Sequence, residues 1–397
     1  MNIDAAIVKD QIADPVGRAR QMRSLIEGSA PAIEQGRQVT AEVQAALHDA
    51  KLFRLYLPRT YGGEEVEPAT FVAVVEEIAK ADASTAWCVA QASGCSLAAA
   101  YLEPDVAHKI FGAPDAVLSW GPMGQKAKAT LVDGGYRFSG TWPYASGCRH
   151  AQWLAGHCPV VDADGKPRLW PDGKPMERTL LFPKSSATVH DVWHVVGLKG
   201  TGSDSYTVTN VFVPAPFSFT RESANDRREN GPLYRFTSYQ LFGVSFAGVA
   251  LGVARAALDA FIAMAASKVP MLAIKPLRES ATVQLQVAQA EARLQASRAL
   301  VFQTLEQMWD TAVHGEAFSM QQRATLRLAA VHAIHQCKEV VETAYHLAGG
   351  TAIFEDQTFE RRMRDIHAVT QQVQSQISNF EVAGQVLLGL PVASKLI

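Results

Sequence analysis

The stretch that decides the fold is GTWPYASGCRHAQW, residues 140–153. It follows the turn sequence DGG at 133–135, and the alternating runs on both sides of that turn predict a β-hairpin. The second strand ends abruptly in Ala-Ser-Gly, where Ser146 offers one hydroxyl without bulk and Gly147 lets a backbone come close. Two interpretations follow. Either the aromatic residues fill a β core and Ser-Gly makes a turn, or this strand end lines a binding site.

The segments around the hairpin divide the chain into three parts. Residues 114–218 contain short β-branched or aromatic runs separated by Gly, Pro and Asp, which predicts a middle β domain. Residues 1–113 show helical spacing of apolar residues, and Asp82 stands where a helix N-cap is expected. Residues 235–397 carry four long amphipathic stretches, the last at 359–380, which predicts a helical bundle. The fold class is therefore mainly α with a central β domain.

The composition is that of an ordinary soluble protein. The 397 residues are 48% hydrophobic and 19% charged, with a formal net charge of -2, which gives no reason to expect nucleic acid or an anionic membrane as a partner. No uninterrupted apolar run approaches the roughly 20 residues of a membrane helix, and the first residues lack the features of a secretory signal. The five cysteines form no CxxC pair. Free thiols, a cytoplasmic location and no metal site are expected.

Four blocks of the sequence resemble the acyl-CoA dehydrogenase superfamily. They are KLFRLYLPRTYGGEEVEPATFVAVVEEIAKADASTAW, GGYRFSGTWPYASGCRHAQW, GLKGTGSDSYTVTNVFVP and AGGTAIFEDQTFERRMRDIHA. The resemblance covers nearly the whole chain, and it is closest to the two-component, reduced-flavin-dependent monooxygenases. It implies an N-terminal helical domain, a small β-barrel or sandwich domain, a C-terminal four-helix bundle and a homotetramer.

The resemblance also implies an activity. Such an oxygenase component inserts one atom of O2 into a small, aromatic or heteroaromatic molecule through a flavin hydroperoxide. Reduced FMN, or FAD, would come from a separate NAD(P)H-dependent flavin reductase, since no NAD-binding βαβ unit is visible in the sequence. The sequence leaves open which substrate is used and whether its carbon, nitrogen or sulfur is oxygenated.

The resemblance assigns flavin contacts to two regions. At the strand end, Trp142, Ala145 and Ser146 would hold the ring, with Ser146 at the N5 edge as a catalytic group. In a neighbouring subunit, Gly349 and Gly350 would approach the flavin with their backbone, although a helix C-cap also explains one glycine there. A further basic residue would lie near the flavin phosphate, either as a ligand or as an ordinary surface charge: Lys268.

A substrate pocket is expected on the other side of the flavin. Trp120 and Met123, in SWGPMGQ, would give an apolar and polarisable wall, with Met123 also touching the flavin. Cys95 and Ser96 lie in the helix where relatives often place a histidine. Ordinary core packing explains the same residues.

The segment ERRMRDIHAVTQQ, residues 360–372, is the most informative for activity. A dehydrogenase of this superfamily has a glutamate shortly after the Arg-Asp block, because removal of a substrate α-proton requires a carboxylate base. This chain has Gln371 and Gln372 there, where oxygenase relatives often keep a histidine. His367 lies one helical turn earlier and would partly substitute for it. We expect His367 and Gln372 to be catalytic and Gln371 to contact the cofactor, while a structural histidine is the alternative.

Two other functions stay open. The chain is either an acyl-CoA dehydrogenase or oxidase with bound FAD and a base elsewhere, or a non-catalytic scaffold with the same fold. Loss of both customary histidines makes phenol hydroxylation doubtful and favours substrates that need no base, such as an amine, a thioether or an electron-rich heteroaromatic ring.

Overall fold

The computed structural model describes residues 14–122, 124–221, 223 and 225–392. Helices occupy both ends of the chain in these residues, and a sheet lies between them. The predicted fold class is therefore confirmed, while the exact domain boundaries stay a prediction.

Within residues 14–113, the first helical part has six α-helices, three of which have a side-chain N-cap. Asp82 accepts a hydrogen bond from the Thr85 amide at 2.7 Å and so begins the fifth helix, as predicted from the sequence. Every residue of that helix is buried, which makes it the centre of this part of the molecule. The helices are α1 Pro15–Gln21, α2 Arg23–Gly36, α3 Ala41–Asp49, α4 Pro68–Ala81, α5 Ala83–Ser96 and α6 Pro104–Phe111.

The sheet has eight strands in the described residues. The strand order is β6-β7-β3-β2-β4-β5-β8, with β1 pairing in parallel with β4. The predicted hairpin is present, because β2 and β3 are antiparallel and turn at Gly134 with φ 72°. The strands are β1 Leu118–Trp120, β2 Gln125–Val132, β3 Gly135–Ala145, β4 Trp153–Val161, β5 Glu177–Pro183, β6 Thr188–His190, β7 Asp204–Pro214 and β8 Ser218–Phe219.

The second helical part packs around a long apolar helix. Its first helix has the length and composition of a membrane span, but 94% of its apolar window is buried in the protein, as in a core helix. It packs against α4 and against the third helix of this part. The helices are α7 Ser238–Ala265, α8 Ala281–Val313, α9 Met320–Ala348, α10 Thr358–Val369 and α11 Ser378–Leu387.

The segment 359–380 is not one helix, so that sequence prediction was wrong. Helix α10 ends at Val369, and a turn separates it from α11. The Gln372 side chain accepts from the Gln374 amide at 2.7 Å and donates to the Ser375 hydroxyl at 2.5 Å. These side-chain bonds replace the helical ones and divert the backbone.

Candidate active site

The abrupt end of β3 is a bulge. Its pairing with β7 shifts register between Trp142 and Ala145, and Tyr144 adopts the left-handed conformation with φ 58°. The bulge re-aims the chain, which places Ser146 directly after the strand. Ser146 is 6% exposed, so its hydroxyl lies inside the protein and needs partners.

Those partners form a chain of hydroxyl groups. The Ser146 Oγ accepts from the indole Nε1 of Trp87 at 3.0 Å and lies 2.6 Å from the Ser203 Oγ. The Ser203 Oγ lies 2.7 Å from the Thr201 Oγ1, which donates to the Leu198 carbonyl at 2.8 Å. Four side chains from α5, the end of β3 and the 198–203 loop therefore converge on one buried line.

The chain of hydroxyls has one possible direction. Thr201 has a single proton, which goes to the Leu198 carbonyl, so Thr201 must accept from Ser203. Ser203 must then accept from Ser146. Because a hydroxyl has one donor and two acceptor positions, Ser146 gives its proton to Ser203 and one lone pair to Trp87. It keeps one acceptor position for a bound group.

The loop with Ser203 is fixed by the Arg-Asp block of α10. The Leu198 amide donates to the Asp365 Oδ1 at 2.6 Å, and Leu198 itself has φ 52°. A Cβ on Gly197 would lie 2.1 Å from the Arg364 carbonyl oxygen, so the close approach requires glycine. Burial is the main cause that raises the pKa of Asp365 to about 7, and the charge of Asp82 contributes to the same rise.

The Gly-Gly turn lies at the end of α9 together with the predicted basic residue. Gly349 has φ 58°, and neither Gly349 nor Gly350 has an atom within 4 Å of the place where a Cβ would stand. The Lys268 Nζ donates to the Ala348 carbonyl at 2.5 Å and to the Thr351 hydroxyl at 2.6 Å. An ammonium has three donors, so Lys268 keeps one N–H beside an open backbone.

An aromatic cavity lies between α5, the sheet and the start of α7. Trp120 is 5% exposed and packs edge-on against His157 and Phe242. Its carbonyl accepts from the Gln91 amide at 3.1 Å. The other cavity residues, mostly aromatic or apolar, are Leu97, Ala98, Tyr101, Phe219, Arg221, Tyr234, Phe236 and Ser238.

Comparisons with known proteins identify the family of this chain. The profile described as "Acyl-CoA dehydrogenase, N-terminal domain" matches residues 19–103, and "Acyl-CoA dehydrogenase, C-terminal domain" matches residues 244–376. An indole-3-acetate monooxygenase of Pseudomonas putida is 30% identical over 357 residues, which are 90% of this chain and 89% of that protein. The chain belongs to the flavin-dependent monooxygenase branch of the acyl-CoA dehydrogenase superfamily.

Two further relatives support the same branch and fold. The monooxygenase is 29% identical over 397 residues to the oxygenase component of an FADH2-dependent resorcinol hydroxylase from a Rhizobium species, covering 94% of both chains. The crystal structure of 3-HSA hydroxylase from Rhodococcus sp. RHA1 matches with a TM-score of 0.89 at 24% identity, over 97% of this chain and 99% of that one. The predicted family, fold, flavin dependence and oxidoreductase class are therefore confirmed. The chain is an oxygenase component that works with a separate flavin reductase and a small-molecule substrate.

The residues of the monooxygenase fit a flavin at two places. A reduced flavin ring carries N–H donors, and the remaining acceptor position of Ser146 suits one of them. A flavin phosphate is anionic, and Lys268 beside the open Gly349–Gly350 backbone suits that charge. The individual flavin contacts stay a prediction.

Two predicted flavin contacts occupy the interior of the sheet. The ring of Trp142 is fully buried between Phe138 and Tyr206, and its Nε1 donates to the His157 carbonyl at 3.1 Å. Ala145 is also fully buried and pairs with β7. With no exposed face on its ring, Trp142 acts as a core residue, the first of the two interpretations of the hairpin. Ser146 thus remains the strand-end residue with a position for the flavin.

The residues after the Arg-Asp block contact other protein groups, and their catalytic roles stay a prediction. The His367 Nε2 lies 3.0 Å from the Glu342 Oε1 and the histidine side chain is 43% exposed. Gln371 donates only to its neighbour Thr370. The side-chain amide of Gln372 makes one hydrogen bond through its oxygen and one through its nitrogen, and both support the turn before α11.

The predicted substrate residues have three different outcomes. Trp120 lines the aromatic cavity. Cys95 is fully buried behind it and accepts from the same Gln91 amide, while Ser96 donates to the Ser93 carbonyl inside its own helix. Met123 lies outside the described residues.

Sequence reasoning missed the partners of the site. Trp87 stacks on Phe246 at 3.8 Å and directs its N–H at Ser146, although the two are 59 positions apart. Ser203 is 57 positions from Ser146. Nothing local in the sequence signals such pairs; only the resemblance blocks that contain Trp87 and Ser203 pointed toward them.

Proposed function

We propose that this chain transfers one atom of O2 to a small, largely apolar aromatic or heteroaromatic molecule held in the cavity at Trp120. The observation that carries the proposal is the directed hydroxyl chain, which leaves Ser146 an acceptor position for a flavin. The cavity at Trp120 adds an aromatic lining for the substrate. The aromatic lining provides flat, polarisable contact area for such a molecule. Three relatives are named for aromatic substrates: indole-3-acetate, resorcinol and p-hydroxyphenylacetate.

A bound reduced flavin supplies the two electrons with which O2 is activated. Ser146 binds at the edge of the ring as an acceptor, since its own proton is held by Ser203. Trp87 and Ser203 keep that orientation fixed, which lowers the reorganisation needed during the reaction. The buried hydroxyl chain and the apolar walls around Trp120 exclude water from the site.

The composition of the turn before α11 shapes the proposed substrate class. The turn of residues 370–376 has no carboxylate, and His367 is engaged with Glu342. Proton abstraction from an acyl-CoA therefore has no candidate group there. Substrates that react without deprotonation fit best: an electron-rich heteroaromatic ring, an amine or a thioether.

The proposal includes the source of the flavin, the oligomeric state of the protein and its location in the cell. The flavin is FMN or FAD, delivered reduced by an NAD(P)H-dependent reductase. The open Gly349–Gly350 backbone and Lys268 would meet the flavin of a neighbouring subunit in a homotetramer. We infer a cytoplasmic location, where the five buried thiols stay reduced.

The test is isotope transfer. The purified chain, a flavin reductase, NADH, FMN or FAD and ¹⁸O2 are incubated with indoles, anilines, phenols and thioethers, and products are weighed by mass spectrometry. One ¹⁸O atom per product molecule is expected with at least one class. If instead the protein reduces oxidised FAD with an acyl-CoA under anaerobic conditions, it is a dehydrogenase. If it binds flavin in neither redox state, it is a scaffold.

A further inference from the structure

A second cleft lies away from the aromatic cavity, between the first turn of α7, helix α9 and the turn before α11. It encloses about 320 Å³, including space open to solvent. None of its residues belongs to the predicted flavin or substrate set. They are Tyr239, Gln240, Gly243, Arg323, Leu326, Arg327, Ala330, Gln374 and Asn379.

The cleft holds two positive charges and no negative one. Arg323 and Arg327 lie one turn apart on α9, so their side chains share a face. Within the described parts of the chain, neither guanidinium pairs with a carboxylate. The half-buried Arg255 differs, because it pairs with Asp259 and Glu291.

Arg327 is held in place by neutral groups alone. Its Nη1 donates to the Asn379 Oδ1 at 2.5 Å, and its guanidinium lies over the Tyr239 ring, 4.7 Å from the centroid. Burial lowers the pKa of Arg327, and the charge of Arg323 lowers it further. Two guanidinium groups held together in this way repel each other until an anion joins them.

Gln240 supplies an independent sign of a missing ligand. Only 8% of it is exposed, and its Oε1 is occupied by the Thr237 amide in the cap of α7. Its Nε2 has no hydrogen-bond partner. A buried donor without a partner costs about 1–3 kcal/mol, so a ligand with acceptor atoms would be stabilised here.

We propose that this cleft binds a small oxyanion, the carboxylate or phosphate group of a metabolite, between Arg323, Arg327 and the amide of Gln240. The fork of a guanidinium matches the paired oxygens of such groups. The residues that line the cleft are not among the predicted flavin and substrate residues, and the proposal does not depend on the class of substrate.

The ligand would act on the turn beside the candidate site. Asn379, which holds Arg327, also donates its Nδ2 to the carbonyls of Val373, Gln374 and Gln376. An oxyanion that fixes Arg327 therefore fixes the support of this turn. Slower amide exchange in residues 373–379 is expected when the ligand is bound.

The experiment is calorimetric titration of the full chain at constant ionic strength. Phenylacetate and inorganic phosphate are the two oxyanion probes, and benzyl alcohol is the neutral probe. Saturable binding of at least one oxyanion is expected, and Arg323→Gln should weaken it by about tenfold or more. Arg323 makes no hydrogen bond that folding would lose, so this variant should keep the thermal midpoint of the parent.

Arg293→Gln is the matched control, because it removes one exposed positive charge from α8. It should leave the affinity unchanged. Which probe binds identifies the source, carboxylate or phosphate. The proposal is overturned by the absence of saturable binding for both oxyanions, by equal binding of benzyl alcohol, or by equal losses in the Arg323 and Arg293 variants.

Discussion

The position of the hydroxyl proton of Ser146 decides whether this residue donates or accepts a hydrogen bond in the site. A free serine hydroxyl rotates and donates or accepts as its neighbour demands. Here every hydroxyl donates its proton to the next group: Ser146 to Ser203, Ser203 to Thr201, and Thr201 to the Leu198 carbonyl. Ser146 therefore presents an acceptor to the flavin edge. This orientation of its hydroxyl depends on Ser203 as much as on Ser146 itself.

Replacing Ser203 tests this dependence. In Ser203→Ala the Ser146 proton loses its partner and turns toward the site, so the acceptor position is no longer fixed. We expect coupled product to fall about threefold to tenfold, the range for one hydrogen bond, with a matching rise in released H2O2. Product and peroxide are measured in the same reductase-coupled assay.

Ser139→Ala is the control for Ser203→Ala, since its Oγ accepts from the Asn210 amide on the exposed part of β3. It should leave coupling unchanged. A Ser203→Ala variant that folds normally and couples like the parent would contradict the directed chain.

At the scale of helices and strands, features that depend on neighbouring residues could be predicted from the sequence, and features that depend on particular side-chain hydrogen bonds could not. The hairpin turn at Gly134 and the cap at Asp82 depend on a few adjacent residues, and both were predicted. The break between α10 and α11 was missed because glutamine is a good helix former. The turn is visible only in the hydrogen bonds of the Gln372 side chain, and no periodic pattern of residues in the sequence signals such bonds.

The contact of α10 with the 198–203 loop makes stability depend on pH. Asp365 has a folded-state pKa of about 7, above the roughly 3.9 of an unfolded Asp. The contribution of protonated Asp365 to the free energy of unfolding is thus complete below about pH 4 and is lost as the pH rises to about 7. Asp365→Asn stays neutral and keeps an acceptor for the Leu198 amide.

The free energy of unfolding of Asp365→Asn, relative to the parent, should therefore rise by about 2–4 kcal/mol between pH 4 and pH 7. Urea unfolding at several pH values measures it. Asp115→Asn, at an exposed position, should show no such rise. A relative stability that falls over this range would refute the raised pKa.

The same contact predicts the effect of one added methyl group. In Gly197→Ala the new Cβ would stand 2.1 Å from the Arg364 carbonyl oxygen, so the loop must move away from α10. We expect a loss of about 2–4 kcal/mol in the free energy of unfolding. Gly28→Ala in α2 has open space and should be neutral or slightly stabilising. Equal effects of the two substitutions would argue against a tight contact.

At the scale of the molecule, the sequence predicted the architecture better than the site. Composition changes and helical periods locate the helical and β parts because each is averaged over many residues. The aromatic cavity collects residues from 97–101, 120, 219–221 and 234–238. Side chains so far apart meet only through the fold, so just one of them, Trp120, was predicted to face the substrate.

Assembly is the last property at this scale, and mixing two inactive variants tests it. Ser146→Ala disables the strand-end part of the flavin site. Gly350→Trp fills the open backbone after α9, where an added Cβ meets no atom within 4 Å, so we expect folding to be preserved. If each flavin lies between Ser146 of one subunit and Gly350 of another, a mixed dimer keeps one intact site. Random mixing of equal amounts should then restore about a quarter of the parent activity.

Each variant alone should give far less activity than the mixture, and both should keep the parent's thermal midpoint. Recovery that fails although mass spectrometry detects mixed oligomers would show that both residues serve one subunit's own site.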